Sequence, residues 1–506
     1  MSSLKKFLSD TVIYGLSTIV ARLLNFVLTP LFVKKFETSV YGIFTNMYAW
    51  AAFLNAFLAF GMETTYFRYL HKVKESERPK VFNSTFLVTL LTSIFFLLFL
   101  FAFLDPIAGW FSRNGLQEQS DYRSYICYMG LTLVADALAV VPFAKLRSQN
   151  RPIRYAVIKL INILVFVGLN LFFLVCIPWL LKQGLVGEAF FSWFREGWVG
   201  YVFVSNLVAS LLTLLLLLPQ VKGLSLSWDK PLLHSMLAYS LPIFVANVSF
   251  IINENLDKIL LPNLLPGETG ESDLGIYGAI AKIAVFLSIF IQAFRLGAEP
   301  FFFSFAKNEN AKKVYALIME YFVIAMMLVM VGLSMNIEWL KYFIEGGNAE
   351  QSAKYWSGLN YIPLILFNYV MLGIYMNLSV WYKLSDQTKY GLYISGVGAI
   401  ITVVLCYVLI PTMSYVGAII VTSITYVTMV GLSYFWGQRN YAIPYNVGKI
   451  LAYIVLGSVL VAINYLFLNR SFWTGNIMLI GYMFFIFWQE RSFLQRVVNS
   501  LVKKAD

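Results

Sequence analysis

Apolar residues run along this chain in long uninterrupted blocks, not in the short alternation of half-buried strands. Phe86–Leu104, Ile161–Leu180 and Tyr201–Leu218 contain no Asp, Glu, Lys or Arg over 18 to 20 residues each. A hydrocarbon core about 30 Å thick takes about 20 helical residues at roughly 1.5 Å per residue. Each block therefore predicts a helix that crosses a membrane. Hydropathy predicts such helices near residues 11–33, 41–65, 82–105, 123–144, 155–178 and 199–219. A second group follows near 233–261, 274–298, 313–335, 359–381, 390–410, 415–435, 447–467 and 474–489. The expected fold class is all-α: a polytopic membrane protein of about 14 transmembrane helices. A barrel strand would alternate polar and apolar residues over about 10 positions, and that pattern is not the one seen. Lys5 and Lys6 ahead of the first apolar run imitate a signal peptide, but Arg22 interrupts the run and no small-x-small site follows. A retained first helix is expected.

An even number of crossings puts both termini on one side of the membrane. Of the 38 Lys and Arg residues, 24 fall on the side of the termini, 9 on the other and 5 within helices. The positive-inside rule then places both termini in the cytoplasm, with Lys34-Lys35 as the one dissenting loop. The same asymmetry accounts for the net charge of +12 without a nucleic-acid partner. Loops are short, and the inner segment Gln220–Pro231 is a natural seam. It divides the chain into an N-terminal lobe (1–219), a linker (220–231), a C-terminal lobe (232–435) and two extra helices with a basic tail (436–506). Helices 1–6 and 7–12 would both begin inside, as parallel repeats do, and alternating access by rocking of the halves is expected. Pro30 and Pro242 in the opening helices, and the Tyr41-Gly42 and Tyr277-Gly278 pairs in the second ones, are loose support for that repeat.

Composition narrows the function. Only 13% of residues are charged, about half the share of a soluble domain. Cys127, Cys176 and Cys406 all sit in apolar stretches and read as lipid- or core-facing side chains. The only histidines, His71 and His234, lie in or beside loops, which argues against a histidine metal site or proton relay. The chain has no G-x-x-x-x-G-K-[ST] loop, no G-x-S-x-G turn and no H-E-x-x-H pair. No cofactor, metal or enzymatic role is expected.

Charged and amide side chains inside helices are costly in lipid and are functional candidates by default. In the first helix Thr18, Arg22, Asn25 and Thr29 share one face, with Arg22 near the bilayer centre. The competing reading is an Arg22 satisfied by a neighbouring helix. The seventh helix carries Asn247, Glu254 and Lys258 on one stripe, with Asp257 beside it. Lys258 could instead snorkel or pair with Glu254 one turn earlier. In the eighth helix Lys282 is intramembrane, and Gln292, Arg295 and Glu299 cluster near the inner end. Asp136 and Lys159, on the fourth and fifth helices, are either an ion pair or part of a transport path. Basic positions exceed acidic ones in the helices that open each half, which suits an anionic ligand such as a diphosphate. Arg22, Asn25, Asn247, Lys258, Lys282 and Arg295 are the substrate-binding candidates. Asp136, Glu254 and Asp257 are the candidates for ion coupling, with Glu320 a further membrane carboxylate.

The opening Lys5-Lys6-Phe7, Arg22-Leu23-Leu24-Asn25-Phe26, Pro30 and Tyr41-Gly42 resembles polysaccharide-exporter flippases. So does the second half, Pro242, Asp257-Lys258, Gly275-Ile276-Tyr277-Gly278, Lys282, Gln292-Ala293-Phe294 and Pro300-Phe301. These are the Wzx-like oligosaccharide flippases of the multidrug/oligosaccharidyl-lipid/polysaccharide (MOP) superfamily. The resemblance implies two six-helix lobes in a MATE-like arrangement around a cavity, plus two C-terminal helices. It implies flipping of an undecaprenyl-diphosphate-linked glycan across the bacterial inner membrane, with polymerase and glycosyltransferases as further partners. The related lipid II flippases of peptidoglycan synthesis also have basic cavity residues, with which Arg22, Lys258, Lys282 and Arg295 correspond in kind. Drug/cation exporters of the superfamily use acidic ones. The alternatives are a lipid II flippase, a drug/cation antiporter, or a membrane polymerase, ligase or glycosyltransferase. Loops of about 20 residues without histidine weigh against the enzymes.

Overall fold

A computed structural model describes residues 20, 23–24, 26–184, 192–225, 229–306 and 308–505. Among them the chain is helical without strands. The helices start where the local chemistry directs. Prolines occupy the first turns of α1 (Thr29–Lys35), α4 (Arg78–Ala102), α7 (Pro152–Leu171), α9 (Lys230–Leu264) and α13 (Ile362–Leu378). There a missing N–H costs no helical bond. Asp229 caps α9 by accepting from the Leu232 N–H at 3.2 Å.

Among the described residues, ten helical segments are long and apolar enough to cross a membrane, or eleven if one bent pair counts as a span. That pair is α10 (Thr269–Ile283) and α11 (Val285–Phe305), which meet at a 50° bend. A single helix was expected over 274–298. The helix α14 (Lys389–Asn440) is 52 residues long, about twice what one crossing needs. It unites the two helices expected at 390–410 and 415–435, and Ser414 at φ 52° breaks it into two arms. The helix expected at 41–65 is two, α2 (Thr38–Ala59) and α3 (Met62–Lys72). They part at Phe60 and Gly61, both at positive φ. A short helix not expected from hydropathy, α5 (Leu104–Phe111), follows α4. The remaining spans include α6 (Gln119–Ser148), α8 (Gly200–Val221), α12 (Ala311–Met335) and α15 (Val447–Phe467), and a further 34-residue helix, α16 (Phe472–Ala505), follows them. Most of the first expected helix lies outside the described residues.

The chain forms two compact units. One comprises Met1–Ala279, Gly346–Tyr355 and Gly391–Thr425; the other comprises Ile280–Glu345, Trp356–Tyr390 and Tyr426–Asp506. In the first, Met62, Tyr66, Phe82, Phe86, Val141 and Met236 share one apolar core. The tightest packing there is the crossing of α2 and α10. A Cβ on Gly42 would sit 1.8 Å from the Glu271 carbonyl oxygen, and one on Gly275 would sit 1.8 Å from that of Thr38. Only glycine permits such an approach, which is how small residues bring membrane helices together. Thr38 and Ser272 hydroxyls bond at 2.7 Å beside it. The helix Ala349–Trp356 docks on the same unit. Gln351 donates to the Val33 and Phe36 carbonyls at 2.9 and 2.5 Å, and Tyr355 donates to Phe36 at 2.9 Å. At one end, Arg195 and Trp198 donate to the buried Asp121 carboxylate, the guanidinium at 2.5 and 2.9 Å and the indole at 2.9 Å.

In the second unit, Lys449 at the start of α15 bridges two buried carboxylates, Glu320 of α12 and Glu490 of α16. Tyr321 and Tyr453 donate to Glu490 at 3.0 and 2.5 Å. This cluster pins the two C-terminal helices to α12. It also gives Glu320 a structural partner that sequence did not reveal.

Candidate functional site

Arg22 and Asn25 lie outside the described residues. The remaining candidates divide between the two units. In the first unit, α9 presents a run of polar side chains from 247 to 258. Asn247 is exposed and Glu254 half-buried. Asp257 is buried, and it organises its surroundings. Its carboxylate accepts from the Lys258 N–H at 2.8 Å, from the Lys258 ammonium at 3.1 Å and from the Tyr277 hydroxyl at 2.8 Å. Lys258 also donates to the main-chain carbonyl of Glu254 at 2.5 Å. The partner of Lys258 is thus Asp257, its immediate neighbour, and not the Glu254 carboxylate one turn away. Adjacent helical residues do not normally face each other. They meet here because the Lys258 stem folds back along the helix. Asn46 of α2 fixes the same turn, donating to the Lys258 carbonyl at 2.8 Å.

Asn253, on another face of α9, is 2% exposed. It donates to the Ser395 carbonyl at 3.2 Å and accepts from Thr402, whose hydroxyl also bonds Thr425 at 3.0 Å. A buried amide satisfied on both sides is a strong tie in lipid. Asn253 thus ties α9 to the first arm of α14, and Thr402 passes the contact on to Thr425 of the second arm.

Asp136 of α6 lies within the first unit. It is hydrogen-bonded to Ser210 of α8 and feels the charge of Lys159 on α7. The Lys159 ammonium itself rests over the Phe143 ring at 4.5 Å. Asp136 and Lys159 are thus electrostatically coupled neighbours without a direct bond. Asn206 donates to the Tyr48 hydroxyl at 3.1 Å, and Asn162 donates to Thr213 at 2.9 Å, extending a polar seam through α2, α7 and α8.

In the second unit, Lys282 is half-buried two residues before the α10–α11 bend, and Arg295 is exposed on α11. Arg295 lines a cavity of about 50 Å³ together with Lys383, Asn377, Phe294 and Phe322. The amide nitrogen of Asn377 is buried there with no partner. That volume exceeds the 10–15 Å³ or so that one water needs. Its Arg295 and Lys383 side chains can only donate, and Asn377 adds two amide N–H donors beside its acceptor oxygen, so the cavity suits an anion's oxygens. Lys383 and Asn377 escaped the sequence reading because they lie at the end of a helix expected to finish at 381. The Glu299 side chain is outside the described residues.

Helices long and apolar enough to cross a membrane in number, with buried cations held by carboxylates, define a polytopic membrane protein. The profile described as "Polysaccharide biosynthesis protein" matches residues 7–304, and the MatE profile matches 242–408. The chain belongs to the polysaccharide biosynthesis protein family, within the MOP superfamily of membrane transporters and flippases. Among solved structures it is similar to the lipid II flippase MurJ in an inward closed conformation. The TM-score is 0.72 at 14% identity over 96% of this chain and 100% of that one. It is also similar to an inward-facing multidrug resistance MATE family transporter (TM-score 0.60, 13% identity, 88% and 96% covered). A third is the Vibrio cholerae MATE transporter VcmN in its bent form (TM-score 0.53, 11% identity, 90% and 98% covered). At these identities the likeness is one of fold. No curated protein matches the sequence.

Proposed function

We propose that the protein flips a glycan linked to a polyprenyl diphosphate from the inner to the outer leaflet of the bacterial plasma membrane, by alternating access and without chemical change. Both termini are then cytoplasmic, the two halves begin at Met1 and near residue 232, and the last two helices are an addition to the paired six. A polymerase and glycosyltransferases would act on the lipid before and after it. The observation that carries the reading is membership of the polysaccharide biosynthesis family over residues 7–304, more than half of the chain. The donor-rich cavity of Arg295, Lys383 and Asn377 supports it. A diphosphate offers several anionic oxygens, and Arg with its planar fork and Lys as a point charge are the natural partners. Arg22, Asn25 and Lys282 are further substrate contacts in this reading, while Asp136 and Glu254 are candidates for ion coupling. Lys258 contributes less positive charge than its residue type promises, because Asp257 neutralises it.

The test is purified protein in liposomes with a fluorescent lipid-linked oligosaccharide. Appearance of unchanged lipid in the opposite leaflet, lost in Arg295→Ala with Lys383→Ala, supports the reading. A modified glycan would point to an enzyme. A second reading, a lipid II flippase, is favoured by the extent of the likeness to MurJ, which covers 96% of this chain. Lipid II transported in preference to other lipid-linked glycans would establish it.

A further inference from the structure

The first unit holds a second cavity, far larger and of opposite character. It encloses about 500 Å³ between α2, α4, α5 and α6. Its lining is apolar and rich in rings, with Trp50, Phe96, Phe99, Phe103, Trp110 and Phe111 among its walls. Small residues make the room. Ala51 and Gly130 line it, and a Cβ on Gly130 would meet the Leu100 side chain at 2.2 Å. Phe99, Phe103 and Trp110 line the cavity and are also 49%, 49% and 38% exposed. The space therefore opens sideways, between side chains that stand where a span meets hydrocarbon. Next to them Phe95, Leu98 and Phe101 are more than half exposed.

The cavity sits at the C-terminal end of α4 and the N-terminal part of α6, away from the basic segments Lys72–Lys80 and Lys145–Arg154 at their other ends. Its rim is marked by charge. The exposed Arg113 guanidinium stacks over the Trp110 ring at 5.1 Å. One wall offers a donor without an acceptor, the buried indole N–H of Trp50. In a hydrocarbon chain, only the face of a double bond can accept from it, and weakly.

We infer that this cavity holds a segment of an isoprenoid chain whose phosphate reaches Arg113, and that it is the tail site of the lipid-linked substrate in the outer leaflet. The inference rests on the transport reading above for the identity of the lipid and on the charge asymmetry of the loops for the leaflet. Size agrees. A dry apolar cavity of roughly 150 Å³ takes one benzene, so 500 Å³ accommodates about three, or about eighteen carbons, between three and four isoprene units. Unsaturation at regular intervals suits the Trp50 donor. Charge at the rim suits a phosphate and excludes a neutral sterol-like occupant as the better fit. A chain held here with its phosphate at Arg113 has its headgroup already on the outer side, so the cavity receives the lipid once the glycan end has crossed.

The test uses full-length protein in nanodiscs of phosphatidylglycerol and phosphatidylethanolamine, with a polyprenyl phosphate carrying a mid-chain diazirine. Photolabelling should map to peptides spanning Phe96–Phe111 and Ile126–Leu133. It should be displaced by undecaprenyl phosphate and not by the same excess of phosphatidylglycerol. Ala51→Phe fills part of the space. Losing about three buried CH2 groups at a factor of roughly four each should cut labelling roughly sixtyfold. Leu133→Trp fills it from α6 should Ala51→Phe fail to fold, and competition on the wild type stands independently of both. Labelling elsewhere, labelling indifferent to filling, or equal displacement by phosphatidylglycerol would overturn the inference. Glycan flipping is measured in parallel on the wild type. Labelling at the cavity without flipping overturns the transport reading alone, and flipping without labelling overturns the tail site alone.

Discussion

Asp257 is the residue whose removal tests the site description most directly. Its carboxylate is buried and holds the Lys258 ammonium at 3.1 Å, with the Lys258 side chain 21% exposed. At an effective dielectric of about 20 the attraction is about 5 kcal/mol, much of it offset by desolvation of both charges. Breaking a buried pair by removing one partner costs about 3–5 kcal/mol. Lys258 keeps some contact with its surroundings, so Asp257→Asn should cost about 2–3 kcal/mol, the lower side of that range. Tyr277 loses an ionic acceptor in the same variant, whose amide oxygen still accepts its hydroxyl. Lys258→Met should cost a similar amount by leaving Asp257 charged and unpaired. The double variant removes both charges together and, with a coupling of about 2 kcal/mol, within the range seen for contacting residues, should cost about as much as one single variant and not the sum of the two. The assay is reversible unfolding in mixed micelles followed by tryptophan fluorescence, together with flipping in liposomes. If Lys258 is a neutralised structural cation, the double variant also transports at close to the wild-type rate. Additive destabilisation would refute the pairing. A stable double variant that cannot transport would return Lys258 to the substrate.

Other outcomes follow from the same structure. Gly275→Val places branched carbons where Cβ alone would come within 1.8 Å of the Thr38 carbonyl oxygen, and should cost about 3 kcal/mol or more. Gly396→Val, which meets nothing within 4 Å, is the control, and equal thermal stability of the two variants would contradict the crossing. Arg22→Ala should abolish flipping while Arg22→Lys keeps part of it, since the charge stays and the fork is lost; full surface glycan with Arg22→Ala would remove Arg22 from the substrate path. An outside-positive potential favours outward movement of an anionic headgroup by about 2.3 kcal/mol per charge per 100 mV. Flipping in vesicles should therefore quicken under a potassium diffusion potential with no proton gradient. A rate that ignores the potential and collapses with a proton or sodium gradient would instead implicate Asp136, Glu254 and Asp257.

The spans were legible because a charge-free block in a bilayer has few alternatives. Phe86–Leu104 could not be a strand or a loop, and it lies almost wholly in α4. Breaks were less legible. Nothing in the local hydropathy at Ala284 or Ser414 distinguishes a bend from a straight helix, since both lie in runs that are apolar enough to cross. The helix α5 was invisible because eight residues do not fill a hydropathy window. The Tyr-Gly pairs are instructive in another way. Tyr41-Gly42 and Tyr277-Gly278 were noticed as a loose internal match. In the fold both glycines serve one crossing, since a Cβ on Gly278 would meet Thr45 of α2 at 2.5 Å. Gly42 meets Glu271 of α10 and Gly278 meets Thr45 of α2, so each is closely approached by the other's helix.

The partners of the buried charges were less legible than the spans. A sequence shows that Lys258 and Glu320 are inside spans, and helical spacing suggests partners three or four residues away. Lys258 instead takes its own neighbour, and Glu320 takes Lys449, 129 residues further on. Each such pairing removes a cation or a carboxylate from the tally on which a ligand's sign was argued. Other residues went unnoticed near a helix end: Asn377 inside the helix expected at 359–381 and Lys383 just past it line a cavity with Arg295. These corrections do not cancel the basic bias; they move it. Lys258 and Lys449 are matched by carboxylates, and Arg295 and Lys383 line one cavity together. An anion's contact with the protein is therefore better sought along the face of α11 and the end of α13 than along the stripe of α9, which the sequence had made the more conspicuous of the two.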